Sequence, residues 1–127
     1  MIIIIDGRLP SLNEVINTNR GNKYAGNKMK KETDAYIQLC IKSQCRKKFD
    51  RISISFKWYE PNRRRDFDNI ASGKKFILDA LVKTGVIPND GWKNIAPKFT
   101  DEFYYDKDNP RVEIDIKEID NEKIHRP

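Results

Sequence analysis

One segment, residues 51–60, restricts the fold more than any other part of the sequence. In the stretch RISISFKWYE, large apolar residues alternate with polar ones: Ile52, Ile54, Phe56 and Trp58 against Ser53, Ser55, Lys57 and Tyr59. Because successive side chains of a strand point to opposite faces, this pattern predicts a strand with one buried and one solvated face. Such a strand belongs to a sheet that another layer covers on one side only.

Two segments have the helical periodicity that could supply this layer. The first runs from about residue 25 to residue 48, and its apolar face contains Met29, Thr33, Tyr36, Ile37, Cys40, Ile41 and Gln44. The second runs over residues 70–84, with Asp68 as the predicted N-cap and Gly85 as the residue that ends the helix. Its predicted buried stripe consists of Phe76, Ile77, Ala80, Leu81 and Thr84.

The remaining chain supplies three more strand candidates, at residues 2–5, 95–104 and 111–118. Residues 106–110 are predicted to form a hairpin turn between the last two. Residues 8–24 are rich in Asn, Gly and Arg and indicate a loop, with a short helical turn around residues 12–16. We therefore expect one α+β domain over residues 1–127, with 119–127 as a frayed tail. Its core would be a single layer of mixed, mainly antiparallel sheet with two helices packed on one face.

Composition narrows the classes of protein. With 35% charged residues and a mean hydropathy of −0.77, the surface is heavily ionised. No apolar run approaches the roughly 20 residues that a membrane span needs. The opening MIIII is too short for a signal peptide. Two cysteines form no disulfide framework and no zinc-binding pattern, so a reduced, cytoplasmic setting is expected.

The positive charge is concentrated at the front of the chain. Residues 1–48 hold 10 Lys and Arg against 4 Asp and Glu, whereas residues 49–127 hold 15 against 15. The run RRR at 63–65 adds a local patch. A basic excess favours nucleic acid as the partner, through phosphate contacts and counterion release. The basic side of the first helix either faces DNA or is simply solvated.

Three acids are candidates for a metal site. Asp66 and Asp68 stand two residues apart, so both could reach one ion from an extended segment. Asp90 follows the second helix, which carries the chain away from Asp66 and Asp68. Residues 85–90, if extended, are just long enough to run back along this helix and bring Asp90 beside them. Three oxygen ligands suit Mg²⁺ or Mn²⁺. The alternative is structural, with Asp66 paired to an arginine, Asp68 as a helix cap and Asp90 as a turn former.

The motif containing these acids is more specific than its parts. The segment RRRDFDN, then KKFILDALVKTGVI, then ND resembles the RusA-type Holliday junction resolvases of bacteria and their phages. The resemblance is close over residues 60–95 and looser over the opening. It implies a homodimeric, Mg²⁺-dependent endonuclease that nicks four-way DNA junctions symmetrically in recombination and repair. It implies neither a membrane partner nor a nucleotide cofactor.

The resemblance also assigns residues to roles. It places the metal-binding and catalytic aspartates at Asp66, Asp68 and Asp90, and the active-site lysine at Lys75. In this family the lysine usually follows the second aspartate by four residues, whereas here it follows by seven. Lys75 would remain on the same face of the helix but lie about 4.5 Å further along it. Lys74 is the alternative candidate for the active-site lysine. The family often has two acids in the final turn, and here the first of them is Asn89.

These residues predict metal-assisted hydrolysis of a phosphodiester, with Mn²⁺ able to replace Mg²⁺. Phosphate contacts are expected from the basic residues Arg63, Arg64, Arg65, Arg20, Lys28, Lys30 and Lys31. Phe67 and Trp58 are predicted to be core, and Trp92 and Tyr59 to cover an edge rather than stack on bases. The alternatives are a basic DNA-binding dimer without nuclease activity and a nuclease for other branched DNA such as forks or flaps.

Overall fold

The structure is a computed structural model that describes residues 1–119. Within these residues, four strands and four helices follow one another as β1 (Ile2–Asp6), α1 (Leu12–Gly21), α2 (Lys23–Gln44), β2 (Ile52–Glu60), α3 (Phe67–Ala71), α4 (Lys74–Lys83), β3 (Ile95–Tyr105) and β4 (Arg111–Glu118). Residues 120–127, most of the predicted frayed tail, lie outside the described part of the chain.

The strands form one mixed sheet in the order β1-β4-β2-β3. The pairs β1–β4 and β4–β2 are antiparallel, and the pair β2–β3 is parallel. This confirms the predicted α+β class and the mainly antiparallel sheet. The predicted hairpin is wrong, because β3 and β4 lie on opposite sides of β2. Residues 106–110 therefore carry the chain past the end of β2, where the Asp106 amide donates to the Glu60 carbonyl at 2.8 Å.

The core lies on one face of this sheet. Alternate strand positions supply buried side chains, as the pattern in β2 predicts: Ile3, Ile5, Ile54, Phe56, Trp58, Val112, Ile114 and Ile116. They form one cluster with Ile37 and Ile41 of α2 and with Phe76, Ile77, Ala80 and Leu81 of α4. The opposite face is open, since Ile2 and Tyr104 there are 58% and 42% exposed.

The α2 helix also protects the outer edge of the sheet at β1. The Gln44 side chain accepts from the Ile4 amide at 2.7 Å and donates to the Ile4 carbonyl at 2.6 Å. The Tyr36 hydroxyl donates to the Asp6 carbonyl at 2.7 Å. Burial, with Cys40 as a further cause, raises the pKa of Tyr36 to about 12, so this phenol remains a donor. These polar members of the predicted helical face thus satisfy a strand edge that would otherwise attract other chains.

The loop predicted over residues 8–24 is wrong, because α1 and the start of α2 occupy most of it. The signal was a capping box: Ser11 accepts from the Glu14 amide at 3.1 Å, in the spacing S-x-x-E that starts helices. Asn22 ends α1 and caps α2, where its side chain accepts from the Ala25 amide at 3.2 Å. The two helices pack closely, since a Cβ on Gly26 would lie 1.7 Å from the Asn19 side-chain oxygen.

The helix predicted over residues 70–84 is divided into α3 and α4. The break falls at Ser72–Gly73, between a short helix that starts at Phe67 and a longer one that starts at Lys74. Gly73 lies close to other elements, with its Cβ position 3.4 Å from both Leu9 and Trp58 atoms. The predicted end is confirmed, since Gly85 follows α4 with a φ of 81°.

No helix within residues 1–119 is both long enough and apolar enough to cross a membrane.

Candidate active site

The two neighbouring aspartates lie where the chain enters α3. Asp66 occupies the N-cap position in an extended conformation but makes no capping hydrogen bond with its side chain. Asp68 lies inside the first turn of α3, so its prediction as a helix N-cap is wrong. Its carboxylate accepts from the amide of Asn69 at 3.0 Å. Both aspartates are exposed.

Both acids line the same cavity, which has a volume of about 640 Å³. The end of β2, the segment that leads into α3 and the end of β3 form its walls. The lining residues are Glu60, Asn62, Arg63, Arg65, Asp66, Phe67, Asp68, Ile70, Phe103, Tyr104 and Tyr105. Carboxylates, guanidinium groups and aromatic rings therefore share one concave surface.

The three arginines before the acids do not neutralise them. Arg65 pairs with Glu14 and donates to the Leu9 carbonyl at 2.9 Å. Burial and nearby Arg8 lower its pKa from the ordinary arginine value. The Arg63 guanidinium lies over the Tyr105 ring, 5.3 Å from its centroid. Within residues 1–119, no ion pair joins residues 63–65 to either aspartate, so the salt-bridged alternative for Asp66 is not what this fold adopts.

Arg64 has an exposed side chain, and its backbone amide donates to the Asn62 side chain at 3.0 Å. Together with Arg63, it therefore leaves a guanidinium accessible beside the cavity. Arg65, by contrast, ties the segment that carries the acids to α1.

Asp90 lines a different pocket, of about 350 Å³, together with Trp92, Ile95 and Phe99 among others. Its charge contributes to the raised pKa of Lys75, in the first turn of α4. Asp90 therefore lies near enough to the start of α4 to act on this lysine electrostatically. Even so, no group of three or more His, Cys, Asp or Glu within residues 1–119 is gathered closely enough to hold a metal. Asp66 and Asp68 share a cavity, and Asp90 is not part of it.

The loop after Asp90 is held by buried groups. Arg51 is 3% exposed, and its Nη1 donates to the Trp92 carbonyl at 2.8 Å. Asn94 is 4% exposed, and its side-chain amide donates to the Asp50 carbonyl at 2.7 Å. These contacts fix the backbone from which Asp90 projects.

The two candidate lysines have different surroundings. The Lys75 side chain is 63% exposed and pairs with Asp79 one helical turn later, at 3.1 Å. That hydrogen bond is the main cause of its raised pKa, and the charges of Asp79 and Asp90 add to it. Lys75 is therefore a cation held at the surface beside Asp90.

Lys74 is instead largely buried against the sheet. Its ammonium lies 2.7 Å from Asp101 and 4.7 Å from the centroid of the Phe99 ring. The other Asp101 oxygen accepts from the Trp58 indole at 2.9 Å. Sequence reasoning missed Asp101, although an acid at an inward strand position, between Phe99 and Phe103, is a signal for a buried partner.

The basic residues predicted to bind phosphate lie partly on α1 and α2. Arg20, Lys28, Lys30 and Lys31 are all exposed. Lys28 lies 3.9 Å from Glu32. These helices therefore present cations to solvent, and Arg65, through Glu14, connects α1 with the acid-bearing segment.

Of the two aromatic residues predicted to lie in the core, one is buried and the other is exposed. Trp58 is buried, as expected, but Phe67 is 67% exposed, so its prediction as core is wrong. Tyr59 is half-buried and stacks on Tyr104 with ring centroids 4.9 Å apart. Trp92 is 81% exposed. The exposure of Phe67 follows from its place at the start of α3, where its ring points into the cavity instead of the core.

Comparison with known proteins gives the class to which this fold and site belong. The family model for endodeoxyribonuclease RusA matches residues 10–117. No curated protein matched the chain. The family match includes both aspartates of the cavity, Asp90, both lysines and the strands that position them.

The chain belongs to the RusA endodeoxyribonuclease family, which acts on branched DNA such as Holliday junctions.

The donor atoms at the cavity fit a hard divalent cation. Asp66 and Asp68 offer charged oxygens that no cation of residues 1–119 pairs with. Mg²⁺ typically binds proteins through one or two carboxylates and completes its shell with water and substrate phosphate. Two aspartates with open space beside them meet that requirement.

Proposed function

We propose that this protein is a Mg²⁺-dependent endonuclease that resolves four-way DNA junctions by paired, symmetric nicks. The observation that carries the proposal is the pair of carboxylates, Asp66 and Asp68, in one cavity and without cationic partners, in a member of this family. A divalent ion would offset the negative charge that these two groups bring to one cavity. Mn²⁺ is expected to substitute, since it takes the same oxygen ligands.

The roles of the chain's own groups follow from their positions. Asp66 and Asp68 hold the ion, and Asp90 is the proposed third ligand from the family pattern. When bound, the ion would activate a water molecule and offset the charge that develops on the phosphate. Lys75, which pairs with Asp79, is the proposed source of a further positive charge. Its ammonium would stabilise the phosphate as its charge grows.

Binding is assigned to the exposed cations. Because they are exposed, Arg63 and Arg64 would contact phosphates at the cavity, and Arg20, Lys28, Lys30 and Lys31 would do so along the helices. Such contacts position DNA without reading its sequence. A four-way junction is nearly two-fold symmetric, so we propose that a homodimer presents one cavity to each of two equivalent strands. Cys40 and Cys45 are both free thiols, which agrees with action in the reducing cytoplasm.

The decisive experiment incubates the purified protein with a synthetic immobile junction, with and without Mg²⁺. We expect paired nicks at symmetric positions, only with the ion present. A linear duplex of the same sequence is the control and should stay intact. Equal cutting of the duplex would contradict junction selectivity, and preferred cutting of forks or flaps would identify a different branched substrate.

A second candidate function is a DNA-binding dimer without nuclease activity. Two observations favour it: Asn89 stands where family members often have an acid, and Asp90 lines a pocket separate from Asp66 and Asp68. Tight junction binding with no nicking in Mg²⁺ or Mn²⁺ would establish this alternative.

The two lysines can be distinguished by substitution. We expect Lys75→Ala to lower nicking by about a hundredfold, because the positive charge that the family pattern assigns to stabilising the phosphate is lost. Lys75→Arg should restore most of the activity. Lys74→Ala is the matched control: it should melt at a lower temperature but retain its rate per folded molecule well below that temperature. The opposite result, full activity in Lys75→Ala and none in Lys74→Ala, would make Lys74 the active-site lysine.

A further inference from the structure

We propose that the aromatic wall of the cavity, formed by Phe67, Phe103 and Tyr105, binds one unpaired nucleobase of the DNA strand to be cut. This inference rests on the proposed function in one respect, that DNA is the ligand. It adds a binding site for a base, and it assigns Phe67 a role that its predicted place in the core would have excluded.

The exposure of Phe67 is the first reason. Phenylalanine is among the residues most often buried, yet this side chain is 67% exposed in the first turn of a helix. Its ring has a defined position, because it packs against the Phe103 ring with ring centroids 4.6 Å apart and ring planes inclined by 33°. One face of the pair is fixed by the sheet, and the other is open to the cavity.

The second reason is the composition of the wall around this pair. Phe103 and Tyr105 are two residues apart on β3, so their side chains point to the same face. Tyr105 is 53% exposed and carries the Arg63 guanidinium over its ring at 5.3 Å. The cavity, of about 640 Å³, is within the size range of sites that enclose a small organic ligand.

A nucleotide within a strand satisfies every part of this lining at once. Its base offers a flat π-face to the rings, and such stacking is tolerant of sequence because every base has one. Its phosphate is anionic and suits Arg63 and a cation held by Asp66 and Asp68. A peptide or a lipid chain could pack against the rings, but it would not account for the two carboxylates beside them.

The site also supplies a reason for preferring branched DNA. A base inside a duplex must unstack and unpair before it can enter a pocket, which costs free energy. Bases at the crossing point of an open four-way junction remain paired but lose a stacking neighbour, so part of that cost is already met there. Placing the base against Phe67 would set its phosphate beside the carboxylates on either side of that residue in the chain.

The test is a double-mutant cycle between protein and DNA. Wild type and Phe67→Ala are titrated with an intact junction and with a set of junctions that lack one base in turn near the crossing point. Ca²⁺ replaces Mg²⁺, and strand integrity is checked after each titration. Leu39→Ala is the matched control, because Leu39 on α2 is also 67% exposed but does not line the cavity. Circular dichroism and thermal melting confirm that each variant folds.

We expect Phe67→Ala to bind the intact junction about tenfold more weakly, Phe67→Trp to bind it nearly as wild type, and Leu39→Ala to be unaffected. One base-less junction should weaken wild type by a similar factor and leave Phe67→Ala unchanged, since both changes remove the same contact. Independent, additive losses, or wild-type affinity in Phe67→Ala, would overturn the base site. If those results accompany normal junction cutting, the proposed function still holds; if the wild type binds no junction, both proposals fall.

Discussion

Asp68→Asn is expected to lower the rate of junction nicking by about a thousandfold or more while leaving junction binding intact. Asparagine retains one oxygen donor but loses the charge that holds a divalent ion against its hydration. A bound metal contributes several kcal/mol to phosphate-transfer chemistry, and each 1.36 kcal/mol corresponds to a factor of ten in rate. Binding should be equal or tighter, because one of two adjacent negative charges is removed from a surface that meets phosphate. Single-turnover nicking and a gel-shift titration measure the two quantities separately.

The matched control is Asp108→Asn, in the exposed connection between β3 and β4. It makes the same change in net charge at a residue that does not line the cavity. Asp108→Asn should cut and bind as the wild type does. A fully active Asp68→Asn protein would show that this carboxylate is not a metal ligand.

Asp101→Ala is expected to lower the free energy of unfolding by about 3 kcal/mol. The substitution leaves the Lys74 ammonium without its partner and removes the acceptor of the Trp58 indole, and breaking a buried pair or orphaning a buried donor each costs this order of energy. The side chains of Lys74 and Asp101 keep 16% and 22% exposure, which places the effect toward the lower end of that range. Chemical denaturation monitored by tryptophan fluorescence gives the value.

Asp79→Ala provides the comparison, since it breaks the equivalent pair of the next lysine at an exposed site. Its expected cost is below about 0.5 kcal/mol. The double substitution Lys74→Met with Asp101→Leu should recover most of the loss, because no charge is then left buried without a partner. Equal losses for Asp101→Ala and Asp79→Ala would show that the inner pair contributes no more than a surface one.

The sequence predicts this fold well where local pattern and burial coincide. In β2 the apolar alternation corresponds directly to the buried positions, and in α4 the predicted stripe is buried from Phe76 to Leu81. Gly85 ends α4 because glycine tolerates a positive φ. Each of these features depends on residues within one element, which is why a single sequence suffices.

The pairing of the strands could not be predicted from such local patterns. A short turn between two strand patterns favours a hairpin, but here both strands pair with β2, and the sequence contains no local signal for that choice. The parallel pairing of β2 with β3 joins Trp58 to Phe103, far apart along the chain. The capping box that begins α1 was a local signal, and it was masked by surrounding Asn and Gly residues.

The candidate site, too, could be predicted from the sequence only in part. Asp66 and Asp68 line the same cavity, but Asp68 lies in the first turn of α3 and not in the extended segment that the spacing argument assumed. The position of Asp90 depends on how residues 85–90 return along α4 and on the break at Gly73, neither of which spacing reveals. Phe67 was expected in the core from residue type alone, whereas its position at the start of α3 directs its ring into the cavity.

The position of β4 within the sheet has a consequence for how the protein is made. β4 leaves the ribosome after every other described strand, yet it lies between β1 and β2 and pairs with both. Until it emerges, β1 has no neighbouring strand and one edge of β2 is unpaired. A nascent chain stalled before residue 111 would present unpaired strand edges, and we expect such fragments to be retained by chaperones or degraded.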